Sequence, residues 1–203
     1  MSKKPSYLGL LNAIAIGEER GYRLFTTWAE TTTNPDLARV LNRVALRERE
    51  HAAAFAKRVN ELGYSLKPAP AEEFESAMAL AESARSDRKK FESLLKFSDE
   101  TSANKRGKGK KKHKDKDPLS RIFRDHSIDI QTGELLGRFI AEERDSERLL
   151  RACYERLCEE AKAEQEDWKH NGESKLSLQD LGMRLDRLSE TLEQLKSLKK
   201  PGI

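Results

Sequence analysis

On three stretches of this chain an apolar helical stripe is interrupted at mid-length by a carboxylate, which an ordinary hydrophobic core does not tolerate. The first stripe reads Leu8, Leu11, Ala15, Glu18, Tyr22, Phe25, Ala29, and the second Leu37, Leu41, Val44, Glu48, His51, Phe55, Val59. The third reads Leu135, Phe139, Glu142, Ser146, Leu149, Cys153. Recurrence every three or four residues predicts amphipathic helices. An ionised carboxylate taken from water without a partner is costly, so several converging acids require a cation. Glu48 and His51, three residues apart, share one face of one turn, where a carboxylate oxygen and an imidazole nitrogen can reach the same metal. Glu18 can add a second carboxylate from the neighbouring helix. The competing arrangement turns the acids to a bundle edge and pairs them with Arg20 or Arg49.

Helical periodicity extends over most of the chain and strand alternation is absent, so the expected class is all-α. A first helix is predicted over about 6–31. Asn34 as cap and Pro35 at the first helical position start a second that ends at Gly63. The short Thr-Thr-Asn-Pro connection makes the two antiparallel neighbours, with the middles of their stripes facing. A third helical segment with a sparser apolar face is expected over about 72–97. Helical pattern returns over about 119–168, open to a break at Thr132-Gly133, and His170-Asn171-Gly172 reads as a loop. A last helix, over 176–198, carries Leu178, Leu181, Leu185, Leu188, Leu192 and Leu195 without an interrupting acid. It packs, either in a bundle or as a coiled-coil seam between subunits.

The net charge of +4 misleads unless it is located. Residues 105–116 hold eight Lys or Arg against one Asp, a local +7, leaving about −3 elsewhere. That insert has glycines and no apolar residue, so a flexible loop is expected, with at most non-specific, salt-sensitive binding of an anionic partner. A mean hydropathy of −0.81 and the lack of a long apolar run exclude a membrane span. The basic start lacks a cleavage-site pattern, so no secretory signal is expected. Cys153 and Cys158 form no disulfide framework or Cys-x-x-Cys pair, which points to a reducing, cytoplasmic setting. Tyr22 and Cys153 read as packing, His126 as surface, and His113 as part of the lysine-rich insert.

Glu18 with Phe25 seven residues on, the tight turn, and Glu48-Arg49-Glu50-His51 together resemble the ferritin-like superfamily, nearest in pattern to its rubrerythrin-type members. A weak internal repeat adds to this: Ile16-Gly17-Glu18-Glu19-Arg20 returns as Ile140-Ala141-Glu142-Glu143-Arg144. The resemblance implies a single domain over 1–203, an antiparallel four-helix bundle in which residues 64–118 are a long crossover containing a flexible lysine-rich loop, 100–118. It implies Glu18, Glu48, His51 and Glu142 as metal ligands, with Glu142 the counterpart of Glu18 and Glu143 competing with it in register. The ligand set of hard oxygen and imidazole suits iron, in a mono- or dinuclear site, or Mn or Zn. Ferroxidase-like oxidation or another dioxygen- or peroxide-dependent reaction, in a homo-oligomer, is the implied activity. Without Cys-x-x-Cys, ferroxidase-like chemistry or iron handling is expected ahead of peroxidase chemistry.

Thirty residues after Glu142, where the resemblance calls for a second Glu-x-x-His, the sequence has Gly172-Glu173 instead. Glu18, Glu48, His51 and Glu142 can then hold one iron, or two copies of the first helix pair can meet across a dimer axis, as resemblance to encapsulin-cargo ferritins would imply. The alternative function is a metal-free ferritin-like scaffold acting as an oligomerisation or interaction module.

Overall fold

Five helices and no strand form among the described residues of the computed structural model, which are 4–98 and 127–175, with side chains through 168. The lysine-rich insert and the leucine-rich segment after 176 lie outside them, as do His113 and His126. The helices are α1 (Leu8–Thr31), α2 (Pro35–Glu61), α3 (Glu72–Glu82), α4 (Asp87–Leu94) and α5 (Ile130–Lys175). The chain divides into two compact units, Met1–Leu157 and Cys158–Ile203. In the second unit the described part is the continuation of α5.

α1 and α2 form the antiparallel pair that the turn chemistry predicts. The Asn34 side chain accepts from the backbone N–H groups of Asp36 and Leu37, both at 3.0 Å, and Pro35 occupies a position that needs no donor. At the other end of α2, Tyr64 N–H donates to the Val59 carbonyl at 3.1 Å and Gly63 N–H to Asn60 at 2.9 Å. That is a Schellman closure, and the φ of +82° at Gly63 is the reason for a glycine there.

The sequence predicts one helical segment from Glu72 to about Phe97, whereas the structure breaks it at residues 83–86. Tertiary partners take the last carbonyls of α3. Ala81 C=O accepts from Thr31 Oγ1 at 2.9 Å and from the buried Lys90 ammonium at 2.7 Å, and Leu80 C=O accepts from Ser83 Oγ. Asp87, in the first turn of α4, accepts from Trp28 Nε1 and Thr32 Oγ1 at 2.7 and 2.6 Å. α4 is thereby fixed against the end of α1, and Trp28, Phe91, Phe97 and Tyr154 form an aromatic layer there.

α5 is one uninterrupted helix from Ile130, so Thr132-Gly133 lies in its first turn. It also continues through His170-Asn171-Gly172, where a loop is predicted. The Ala-, Glu-, Gln- and Lys-rich residues before that point are strong helix formers, and one glycine costs only about 1 kcal/mol against them. Asp129 opens α5. Its carboxylate accepts from Thr132 N–H and Thr132 Oγ1, from Tyr7 Oη at 2.7 Å and from Arg58 Nη2 at 2.7 Å, tying α5 to α1 and α2. Burial pushes this carboxyl up, but the hydrogen bonds from Thr132, Tyr7 and Arg58 outweigh it and hold Asp129 well below the usual carboxylate range. Asp129→Ala is expected to cost roughly 2–3 kcal/mol, as a lost helix cap plus donors left without their acceptor. Urea unfolding measures this; a loss under about 0.5 kcal/mol, within the range of an ordinary surface substitution, would show that the junction carries no weight.

The predicted stripe of α5 holds at Ser146 and Cys153 and shifts by one residue at its leucine and phenylalanine positions. Leu136, Ile140, Ser146, Leu150 and Cys153 are buried, while Leu135, Phe139 and Leu149 lie at the flank. Both cysteines are buried, and neither is in a disulfide. The layer toward the start of α1 contains Leu11, Ala15, Phe55, Val59 and Leu136. Between it and the aromatic layer lie the acids.

Candidate metal centre

Glu18, Glu48 and His51 are 8%, 7% and 3% exposed, so they lie inside the helix packing, not at an edge. The arginines that could have claimed them are elsewhere. Arg20 donates to the Ala69 and Pro70 carbonyls, and Arg49 lies over the Tyr22 ring. His51 is the hub: Nδ1 is 3.0 Å from Glu18 Oε2, and Nε2 is 2.6 Å from Glu142 Oε2. Phe139 meets the imidazole edge-on with a centroid separation of 5.1 Å, fixing the ring plane.

α5 also brings in Glu143. Its Oε1 lies 3.8 Å from His51 Nδ1 and is buried with no hydrogen-bond partner among the described residues. Glu18, His51 and Glu143 each offer a donor atom, all within 4.8 Å of one another. Glu142 has a second partner, its other oxygen accepting from Arg138 Nε at 2.9 Å, and the side chains of Glu142 and Glu143 are both partly exposed, at 28% and 37%. The sequence indicated an acid at this level of α5, with Glu142 and Glu143 competing in register, and the structure brings both to His51. Leu135-Leu136, Phe139-Ile140 and Leu149-Leu150 are neighbouring apolar pairs that support either rotation.

The electrostatics are those of acids held together without enough positive charge. Burial, then the charges of Glu18 and Glu143, push Glu48 up to about 9. Burial and the Glu18 charge push Glu143 up to about 7, against the pull of His51 and Arg47. For His51, burial lowers the basicity, but the hydrogen bonds and charges of Glu18 and Glu142 win and raise it. Protons thus do the work of a counter-ion here. A divalent cation fits the same need: it would pair with the orphan Glu143 oxygen and with donors of the hard oxygen and imidazole type.

Gly21, one turn after Glu18, bears on the site although it belongs to none of the apolar stripes. A Cβ there would collide with Glu48 Oε2 and approach Glu48 Cδ to 2.9 Å, so the absent side chain is what lets the carboxyl lie against α1. The sequence signal was a helix-interior glycine, which costs about 1 kcal/mol against alanine and so suggests close approach. Gly21→Ala is therefore expected to keep or slightly raise thermal stability while displacing Glu48 and weakening metal binding at least about tenfold, a change of roughly 1.4 kcal/mol. Parallel melting and metal titration would detect that split; equal affinity in the two proteins would remove Glu48 from the site.

A cavity of about 360 Å³ reaches Glu48, Glu143 and Ser146 between walls that include Phe25, Val44 and Leu150. Another of about 380 Å³ opens on His51 and Arg138. The side chain of His170 lies outside the described residues. No described helix is long and apolar enough to cross a membrane.

Comparison with known proteins gives one finding: the family model described as Rubrerythrin matches residues 10–154, more than half of the chain and all of the residues of this cluster. No curated protein and no solved structure matches.

Proposed function

The chain belongs to the rubrerythrin family, and on that premise we propose that it binds iron in a ferritin-like bundle and takes part in ferroxidase-like oxidation or iron handling. Glu18, Glu48, His51 and Glu142 are the ligands proposed from the sequence, and the orientation of Glu143 adds it to them. The observation that carries the reading is the buried, unpartnered Glu143 Oε1 beside Glu18 and His51. An acceptor desolvated among acids is stabilised by a cation more than by any neutral group. Iron held there would supply redox chemistry toward dioxygen or peroxide. The chain's own part is to hold the donor set. Phe139 fixes the plane of His51, Gly21 admits Glu48, and the cavity against Glu48 and Glu143 leaves a way in for a small reactant. The fourth helix of such a bundle and a homo-oligomeric state belong to this same proposal.

The test is to purify the protein without a histidine tag, add ferrous iron anaerobically, and count metal per chain beside a Glu48→Ala, His51→Ala double variant. Stoichiometric iron in the parent, lost in the variant, followed by dioxygen consumption on exposure to air, is the expected result. A parent that takes up neither Fe, Mn nor Zn would leave the metal-free scaffold as the function.

A further inference from the structure

We infer that the site takes a single metal ion per chain, because the guanidinium of Arg47, bonded to Ser146 and Asp145, sets a fixed positive charge at the end of the cluster where the described residues offer a second ion no imidazole. The inference rests on the metal-binding reading above and deepens it.

α2 and α5 face each other with the same spacing of side chains. On α2, Glu48 and His51 are three residues apart and both buried. On α5, Glu143 and Ser146 are three residues apart, with Ser146 3% exposed and lining the same cavity as Glu48 and Glu143. The two helices thus present a carboxylate one turn from a second inward residue. The difference is that α2 offers an imidazole there and α5 a hydroxyl. A neutral serine hydroxyl is a poor ligand for a divalent cation beside imidazole or carboxylate.

The hydroxyl is also taken. Arg47 Nη1 donates to Ser146 Oγ at 3.1 Å, and Nη2 donates to Asp145 Oδ2 at 2.8 Å. Arg47 precedes Glu48 in the chain, its side chain is 25% exposed, and its charge is felt at Glu143. A guanidinium is always charged and its fork is held by two acceptors, so it does not yield to a metal by losing a proton. The cluster therefore has an incomplete counter-charge at Glu18, His51 and Glu143 and a built-in cation at the Ser146 end. One divalent ion completes the first; a second would find, among the described residues, a hydroxyl in place of an imidazole and meet a fixed like charge.

The experiment uses the full, untagged chain. Zinc and anaerobic ferrous iron are each counted per chain, and the manganese-loaded protein is examined by electron paramagnetic resonance. One ion per chain with the spectrum of magnetically isolated manganese is expected. Two ions per chain, or an exchange-coupled spectrum from ions shared between chains, would overturn the inference while leaving the metal-binding reading intact; no specific uptake would sink both. Ser146→His alone is expected to remain at one ion, since Arg47 stays in place, and Ser146→His with Arg47→Met is expected to reach two. Retained helicity and melting establish that each variant is folded. A single variant that already binds two would remove Arg47 from the argument, and a folded double variant still at one would remove both positions.

Discussion

With metal stripped by a chelator, the protein is expected to be most stable near pH 5 and to lose stability steadily toward pH 9. Glu48, held up to about 9 by burial and by the charges of Glu18 and Glu143, and Glu143, held up to about 7, keep protons in the folded state that the unfolded chain releases above its ordinary value of 4.5. A group whose folded pKa is raised contributes stability that is complete below the unfolded value and is lost as pH climbs through the folded one. His51 acts in the same direction, because its folded value lies above 6.5. The windows therefore run from 4.5 to about 7 for Glu143 and from 4.5 to about 9 for Glu48. One pKa unit corresponds to about 1.4 kcal/mol, so even part of these displacements gives a loss of roughly 3 kcal/mol or more across the range. Asp129 has the opposite sign: its folded value is depressed, so its contribution is present above 3.8 and lost only as pH falls below that.

Metal should reverse the slope. A cation displaces the protons from Glu48 and Glu143, so its binding strengthens as pH rises, and it stabilises the folded state by about 2.7 kcal/mol at a hundred times its dissociation constant. For a chain of this size that amounts to roughly 5–10 °C in melting temperature. Melting from pH 5 to 9, with chelator and with zinc or ferrous iron, measures both limbs. A flat metal-free profile would mean that the carboxylates do not share a desolvated site.

Glu48→Gln is expected to separate stability from function. The amide keeps the shape but needs no proton, so at pH 8 the metal-free variant should be more stable than the parent by roughly 2 kcal/mol, with a flatter pH profile. If Glu48 is a ligand as proposed, metal binding should fall at least about tenfold, because a carboxylate is replaced by a neutral group. A residue kept for an ordinary buried ion pair behaves in the opposite way, since removing one partner strands the other charge. A variant less stable than the parent, with unchanged metal affinity, would assign Glu48 to such a pair.

The site was legible where an acid broke an otherwise clear stripe. On α1 and α2 the residues around Glu18, Glu48 and His51 offer one apolar line each, and all three are buried as the stripe requires. On α5 the adjacent apolar pairs made two rotations equally good in sequence, so Glu142 and Glu143 competed in register, and the structure brings both to His51. Arg47 and Gly21 left little local trace. The first acts across helices on Ser146 and Asp145, and the second matters only because a carboxyl from α2 lies against it.

Sequence by itself determined the helical class, the α1–α2 hairpin and its boundaries, because these rest on local chemistry: periodicity, the Asn34 cap, Pro35, and a glycine at positive φ. It also determined that carboxylates and a histidine would meet in a core, since a helical stripe specifies which residues go inward. Tertiary structure decided the break between α3 and α4, where Thr31, at the end of α1, takes the Ala81 carbonyl together with Lys90 of α4. It alone decided which residue of each adjacent apolar pair of α5 is buried, and it ties the start of that helix to Tyr7 and Arg58 through Asp129. Those choices are balances among contacts between segments far apart in sequence, and no local pattern encodes which contact wins.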